Sequence, residues 1–322
     1  MAGLNRGRLG SLIAIMVLSV IPSLGFADAV EWRAMTSMHG VHDIVYSNGT
    51  IWCATTGGLA GFDPSTEYFD SYTFLDGLEG IGLNGLTLDS TGGIWIVLER
   101  RLLQRFDPLS RRVTHTVSGV REVNSINGMT IDQRGIFLAT NVGVARIKYF
   151  PEQDEWFWFE RFTRLGDFPD QEAVTTVVTA GDYIWAGTAM GIARGDLNAP
   201  APLTWVNFTT DDGLPGNEIR DIAVYEDLVY TATNGGIAGW DGSNWTTVSN
   251  NLTVSRLIVQ NDELYAVTGD GLLVFERSAW NLVGAPITSI TSTAKDDEGN
   301  IWIGLESNNR SSGGVSALTD GN

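Results

Sequence analysis

Seven times along the 322-residue chain an apolar residue is followed by an aromatic one, then by small or β-branched residues, a glycine and a further apolar position. The copies are Ile51-Trp52, Ile94-Trp95, Ile136-Phe137, Ile184-Trp185, Val229-Tyr230, Leu264-Tyr265 and Ile301-Trp302, with successive aromatics 43, 42, 48, 45, 35 and 37 residues apart. A period of that size is one propeller blade, and a unit so short must bury its apolar faces against its neighbours. The content of 38 Gly and 11 Trp suits the many short strands and tight turns such blades require.

Each copy is readable strand by strand. Turns follow the aromatic at Thr55-Thr56-Gly57-Gly58, Thr140-Asn141-Val142-Gly143, Thr188-Ala189-Met190-Gly191, Thr233-Asn234-Gly235-Gly236 and Thr268-Gly269-Asp270-Gly271, where glycine permits the positive φ of a tight hairpin. A short third strand comes next, often closed by Asp, as in Leu59 to Asp63 and Leu102 to Asp107. Upstream of each aromatic an inner strand starts at Val41, Leu83, Ile126, Val174, Ile219, Val254 and Ile290, and three of these run into Asp-x-x-Gly turns at Asp89, Asp132 and Asp296. An outer strand, an aromatic with an apolar residue three positions on, appears at Phe69, Phe159, Trp205, Trp245 and, more weakly, Trp280.

The ends of the array then matter. The last unit stops after its third strand, Gly314 to Leu318, and an orphan outer-strand pattern, Trp32-Met35-Thr36, precedes the first. Pairing the two predicts an all-β, seven-bladed propeller of four-stranded antiparallel blades, the ring closed by the N-terminal strand in the last blade.

These repeats resemble the two-component regulator propeller family. The matching stretches are Gly213-Leu214-Pro215-Gly216-Asn217-Glu218-Ile219, Asp296 to Gly304, Ile184-Trp185-Ala186-Gly187-Thr188 and Gly191-Ile192-Ala193-Arg194. The resemblance implies a periplasmic, sensor-type ectodomain, often responsive to carbohydrates. The family's downstream coupling domain, membrane helix and kinase have no counterpart after Leu318, so the expectation is a free-standing adaptor or the N-terminal piece of a longer product.

Arg6 and Arg8 precede an apolar stretch from Leu9 to Leu24, and Gly25-Phe26-Ala27 offers small cleavage residues. Residues 1–27 therefore read as a secretory signal and 28–322 as one propeller domain, in the periplasm or outside the cell. An uncleaved anchor is the competing reading, disfavoured by Pro22 and three serines. Removing Arg6 and Arg8, with no acid, takes the formal net charge from -18 to -20. Such a surface repels nucleic acid and anionic membranes. The single cysteine, Cys53, excludes an internal disulfide and sits on an expected buried strand, as an unreactive apolar side chain.

Candidate chemistry is sparse. His39 and His42 are three apart, so on a strand they face opposite ways. His115 has no acid near it in sequence and receives no role. Streptogramin-lyase-like propellers resemble the chain in blade number, but their late histidine and acids around magnesium are not reproduced, and no Gly-x-Ser-x-Gly elbow occurs. The Asp296-Asp297-Glu298-Gly299-Asn300 loop suggests a solvated turn, with weak calcium binding as the alternative. No other cofactor and no metal site is expected.

Two binding candidates stand out. The residue after the first apolar position of each inner strand is polar in all seven units: His42, Asn84, Asn127, Thr175, Arg220, Ser255 and Thr291. Inner strands line the central channel of a propeller, so these residues are expected to form a polar ring for a sugar or peptide ligand, or simply to face channel water. The second blade also carries Arg100, Arg101, Arg105, Arg111, Arg112 and Arg121, a cluster suited to acidic partners or to ordinary surface ion pairs. Trp156 and Trp158 are expected to pack between blades. The sequence thus predicts an exported, non-enzymatic propeller that binds carbohydrate or protein, with a lyase-type enzyme and a structural subunit of a surface-assembly system as alternatives.

Overall fold

Among the described residues, twenty-seven strands assemble into seven antiparallel sheets, six of four strands and one of three. The computed structural model describes residues 38, 40–99, 101–119, 122–200, 202–283, 287, 289–306 and 313–318, all within the compact unit Ala34–Asn322. The expected signal segment, the orphan strand at Trp32, His39, Arg100 and Arg121 lie outside the described residues. In every blade the strands follow chain order outward from an inner strand, as the repeats predicted. The inner strands are Val41–Ser47, Leu83–Leu88, Ile126–Asp132, Val174–Ala180, Ile219–Tyr225, Val254–Gln260 and Ile290–Lys295. No helix among the described residues is long and apolar enough to cross a membrane.

The second strand of each blade carries the repeated aromatic, and its side chain fills the space against the neighbouring blade. Trp52 of blade 1 meets Phe106 of blade 2 at 5.0 Å between ring centroids, and Trp95 of blade 2 meets Trp156 of blade 3 edge-on at 4.9 Å. Seven apolar clusters result, one per pair of adjacent blades. The seventh joins the ends: Val41, Ile44, Ile51, Cys53 and Ala60 of blade 1 enclose Ala294 of blade 7, with Trp302 and Val315 against them. The ring is therefore closed by the same kind of packing that holds every other interface. Fully burying one such indole removes on the order of 150–250 Å² from water, roughly 4–6 kcal/mol before entropy is subtracted.

The turn after the aromatic strand is built the same way five times. Thr55, Thr140, Thr188, Thr233 and Thr268 each donate their hydroxyl to the carbonyl of the glycine three residues on, at 2.7–3.0 Å, and accept a backbone N–H from inside the turn. The glycine is obligatory at Gly191, whose φ is +139° and whose notional Cβ would stand 2.3 Å from the Phe208 carbonyl oxygen.

Blade 3 breaks the uniformity. Its third and outer strands, Gly143–Phe150 and Glu155–Phe162, are eight residues each, against four to six in the other blades. The surplus residues, pairing Tyr149 with Trp156 and Phe150 with Glu155, lengthen the hairpin at its tip.

Candidate functional site

Every inner strand contains a β-bulge directly after its first residue. The bulged residues are His42, Asn84, Asn127, Thr175, Arg220, Ser255 and Thr291, which are the seven members of the expected polar ring. Five of them, Asn84, Asn127, Thr175, Arg220 and Ser255, line one axial cavity of about 400 Å³. A bulge leaves backbone carbonyls without a ladder partner, and four of these side chains supply one. His42 Nδ1–H donates to Leu83 O at 2.7 Å and Asn127 Nδ2 to Val174 O at 2.8 Å, each reaching the next blade. The Thr175 hydroxyl lies 2.9 Å from Ile219 O and 3.0 Å from Gly187 O, and the Ser255 hydroxyl donates to Val267 O at 3.1 Å. Polarity at this position therefore has a scaffold role, satisfying the bulge and tying blades together.

The next position along carries a charge system that the sequence reading missed. Asp43, in blade 1, accepts Ile44 N and, from blade 2, Leu86 N, both at 3.0 Å. Asp221, the equivalent residue of blade 5, accepts Ile222 N and Thr176 Oγ1 at 2.9 Å and, from blade 6, Leu257 N at 2.8 Å. Arg256 of blade 6 spans to Asp43 with both terminal nitrogens at 3.1 Å and donates to Thr291 O at 3.0 Å. Burial pushes the Asp221 carboxyl above the ordinary carboxylate range, against the attraction of Arg256 and the three hydrogen bonds. Asp43, foremost, and Asp221 hold the Arg256 guanidinium charged against its own burial. The signal was present in sequence as a charged residue one position past the polar ring.

The described arginines of blade 2 go to different partners. Arg111 pairs with Asp70 of blade 1, Arg101 Nη1 donates to Val123 O of the segment leading into blade 3 at 2.6 Å, and Arg105 pairs with Asp89 at 2.7 Å. Arg112 is exposed. Arg111 and Arg101 thereby stitch blade 2 to its two neighbours.

A wider concavity lies between blades 2 and 3. The outer strand of blade 2, Arg112–Val117, faces the long hairpin of blade 3 across a groove of about 520 Å³ lined by His115, Asp154, Trp156 and Trp158. A second cavity, about 920 Å³, shares His115 and Trp156 with it and continues past Tyr149 to the turns at Asp89 and Asp132. The Tyr149 hydroxyl donates to Asp154 at 2.6 Å, which raises the pKa of the phenol. His115 Nε2 stands 3.8 Å from the same carboxylate, and Trp156 packs on both Trp95 and Tyr149. The tryptophans do pack between blades as expected, yet they also leave ring surface on the groove. Asp89 is held by Arg105, Thr91 and Gly93, which keep its carboxyl below the usual range despite burial, and Asp132 is paired with Arg134 at 2.9 Å.

The remaining candidates settle simply. Asp296 accepts from Glu298 N, Asn300 N, Asn300 Nδ2 and Trp302 Nε1 at 2.8–3.0 Å, closing the turn the sequence suggested and spending both oxygens. Among the described residues no group of three or more His, Cys, Asp or Glu is placed to hold a metal ion. Cys53 is buried, and burial pushes its thiol up to about 12.

Comparison with known proteins agrees with the fold. A family model described as the DUF6242 beta propeller domain matches residues 152–300. The extracellular domain of the hybrid two component system protein BT3049 from B. thetaiotaomicron superposes with a TM-score of 0.68 at 18% identity, over 88% of this chain and 40% of that one. PorZ, a surface component of the type-IX secretion system of Porphyromonas gingivalis, gives 0.69 at 14% identity, over 90% and 38%. The WD40 repeats of RRP9 give 0.62 at 11% identity, over 84% and 89%. The chain thus spans about two-fifths of the length of the first two, and identities this low speak to the fold alone. No curated protein matches the sequence.

Proposed function

We propose that this propeller is an exported, non-enzymatic binding module, and that its ligand is a neutral carbohydrate chain held in the groove between blades 2 and 3. One observation carries the reading: Tyr149 and Trp156 present ring surface beside His115, Asp154 and the blade-2 threonines, in two continuous cavities. Sugars present apolar C–H faces and many hydroxyls, and that mixture of ring faces and hydrogen-bonding groups suits them. Binding rather than catalysis is favoured because Asp89 and Asp132 are consumed by turn hydrogen bonds and arginines, leaving neither poised as a general acid or base. The likeness to extracellular sensor domains supports export. A glycan-array screen with calcium and EDTA arms tests this, with Tyr149→Ala expected to weaken the best hit by about tenfold. Metal-dependent turnover of a glycan would replace the binding reading with the lyase alternative.

A second reading, a protein-binding adaptor of a surface assembly, is favoured by the exposed phenylalanines of the same hairpin. Phe157 and Phe159 are 41% and 49% exposed there, beside Phe150 and Lys148. Pull-down from envelope extract with Phe159→Ser, a ring outside the groove lining, separates it from the first reading: a partner lost with that ring, and no glycan retained by the parent, selects the adaptor.

A further inference from the structure

Three blades carry an arginine on the third strand directly opposite the repeated aromatic: Arg105 opposite Trp95, Arg146 opposite Phe137 and Arg194 opposite Trp185. In two of them the guanidinium is fully employed. Arg105 donates to Asp89, Thr91 and Thr114 at 2.7–3.2 Å. Arg146 donates twice to Arg134 O, at 2.9 and 3.2 Å, and reaches Glu160 at 3.4 Å. Asp89 and Arg134 both stand on the Asp-x-x-Gly turn between first and second strands. Blade 4 has Ala180-Gly181-Asp182-Tyr183 there instead, and its only carboxylate turns to Arg134 of blade 3. Arg194 accordingly has no hydrogen-bond acceptor among the described residues.

What surrounds Arg194 is aromatic. Its guanidinium carbon lies 4.5 Å from the centroid of Tyr183, 5.5 Å from Trp185, 5.4 Å from Phe208 and 5.5 Å from Trp240. Ring faces attract the flat cation but accept nothing from its in-plane N–H donors. Those donors open on a cleft of about 370 Å³ between blades 4 and 5, rimmed by Asp182, Asp227 and Asp241. A rigid, caged fork with free donors is preorganised for a planar carboxylate. The three rim carboxylates oppose a multiply charged anion more strongly than a single carboxylate, and Asp227 with the second oxygens of Asp182 and Asp241 can accept hydrogen bonds from hydroxyls around that carboxylate. Several hydroxyls adjoining one carboxylate describe an acid sugar better than a peptide C-terminus, which brings a single amide N–H.

We propose that the Arg194 cleft between blades 4 and 5 is a binding site for a single uronic-acid unit, its carboxylate on the guanidinium and its hydroxyls on the aspartate rim. This goes beyond the groove between blades 2 and 3 and does not depend on it, since a failure of neutral glycans to bind there leaves Arg194 uncompensated. The test titrates the folded chain with glucuronate, glucose and N-acetylalanine, reading the Arg194 Nε–Hε signal in ¹⁵N-resolved NMR. Glucuronate is expected to shift that signal with a dissociation constant of about a millimolar, and glucose to leave it unmoved. Arg194→Lys, which keeps the charge over the rings but loses the fork, is expected to bind glucuronate at least tenfold more weakly with an unchanged near-UV dichroism spectrum. Glucose shifting the signal as strongly, N-acetylalanine binding more tightly than glucuronate, no shift up to tens of millimolar, or full affinity in Arg194→Lys would each overturn the assignment.

Discussion

Arg256→Met should be among the most damaging single changes that leave the apolar interfaces untouched. The substitution keeps the bulk of the side chain and deletes the guanidinium that meets Asp43 through two 3.1 Å contacts and caps Thr291 O. Asp43 is only 4% exposed and would remain as a buried carboxylate with backbone donors alone. Removing one member of a buried ion pair typically costs 3–5 kcal/mol. Here channel water reaches about a third of the arginine side chain, 36% by area, so screening places the cost near the lower end, about 3 kcal/mol. For a domain of this size that corresponds to a melting temperature lowered by roughly 6–12 °C. The loss should also depend on pH. Asp221 has a folded pKa raised by burial, so the stability linked to its protonated form is complete below the unfolded carboxyl range and disappears as pH rises through the folded value. Arg256 opposes that rise, and without it the deficit should be larger at pH 8 than at pH 5. Thermal melts across that range, together with Asp43→Asn/Arg256→Met, provide the assay. A variant melting within 2 °C of the parent, or a double variant no more stable than Arg256→Met alone, would refute the argument.

Three further outcomes follow from the same geometry. Gly191→Ala, with its Cβ driven toward Phe208 O at positive φ, should destabilise by at least about 2–3 kcal/mol, visible as a shifted urea midpoint at constant slope. Thr188→Val should cost about 1–3 kcal/mol by stranding Met190 N and taking away one of the two donors to Gly191 O, while Thr91→Val, at an exposed turn, should cost less than half as much in the same measurement. Cys53, its thiol held up to about 12 on a buried strand, should resist iodoacetamide at pH 8 in the native protein and react at once in denaturant; rapid native labelling would contradict the placement.

The blades were legible because their determinants are local. The alternation of each strand, the threonine and glycine of each turn and the Asp-x-x-Gly corners all lie within about forty residues and repeat. The polar ring was legible for a related reason: a bulge turns one residue out of the ladder at a fixed place, and each unit marks that place with a polar side chain. What the ring does was not legible, since the carbonyls it serves belong largely to the next blade, about 40 residues on. His115 received no role because its acid neighbour, Asp154, arrives from another blade, and the groove exists only once two sheets are set side by side. The arginine cluster shows the opposite case, as its described members Arg101, Arg105 and Arg111 are neighbours in sequence yet reach different partners. Arg194 left a trace that a finer comparison of units would have found, namely a third-strand arginine in a unit lacking the turn aspartate.

The elongated hairpin of the third blade has one more effect. Seven blades of similar backbone outline offer an approaching molecule little shape by which to tell one bearing from another. A single overlong sector acts as an index mark, so a molecule that docks against that hairpin would do so at one azimuth.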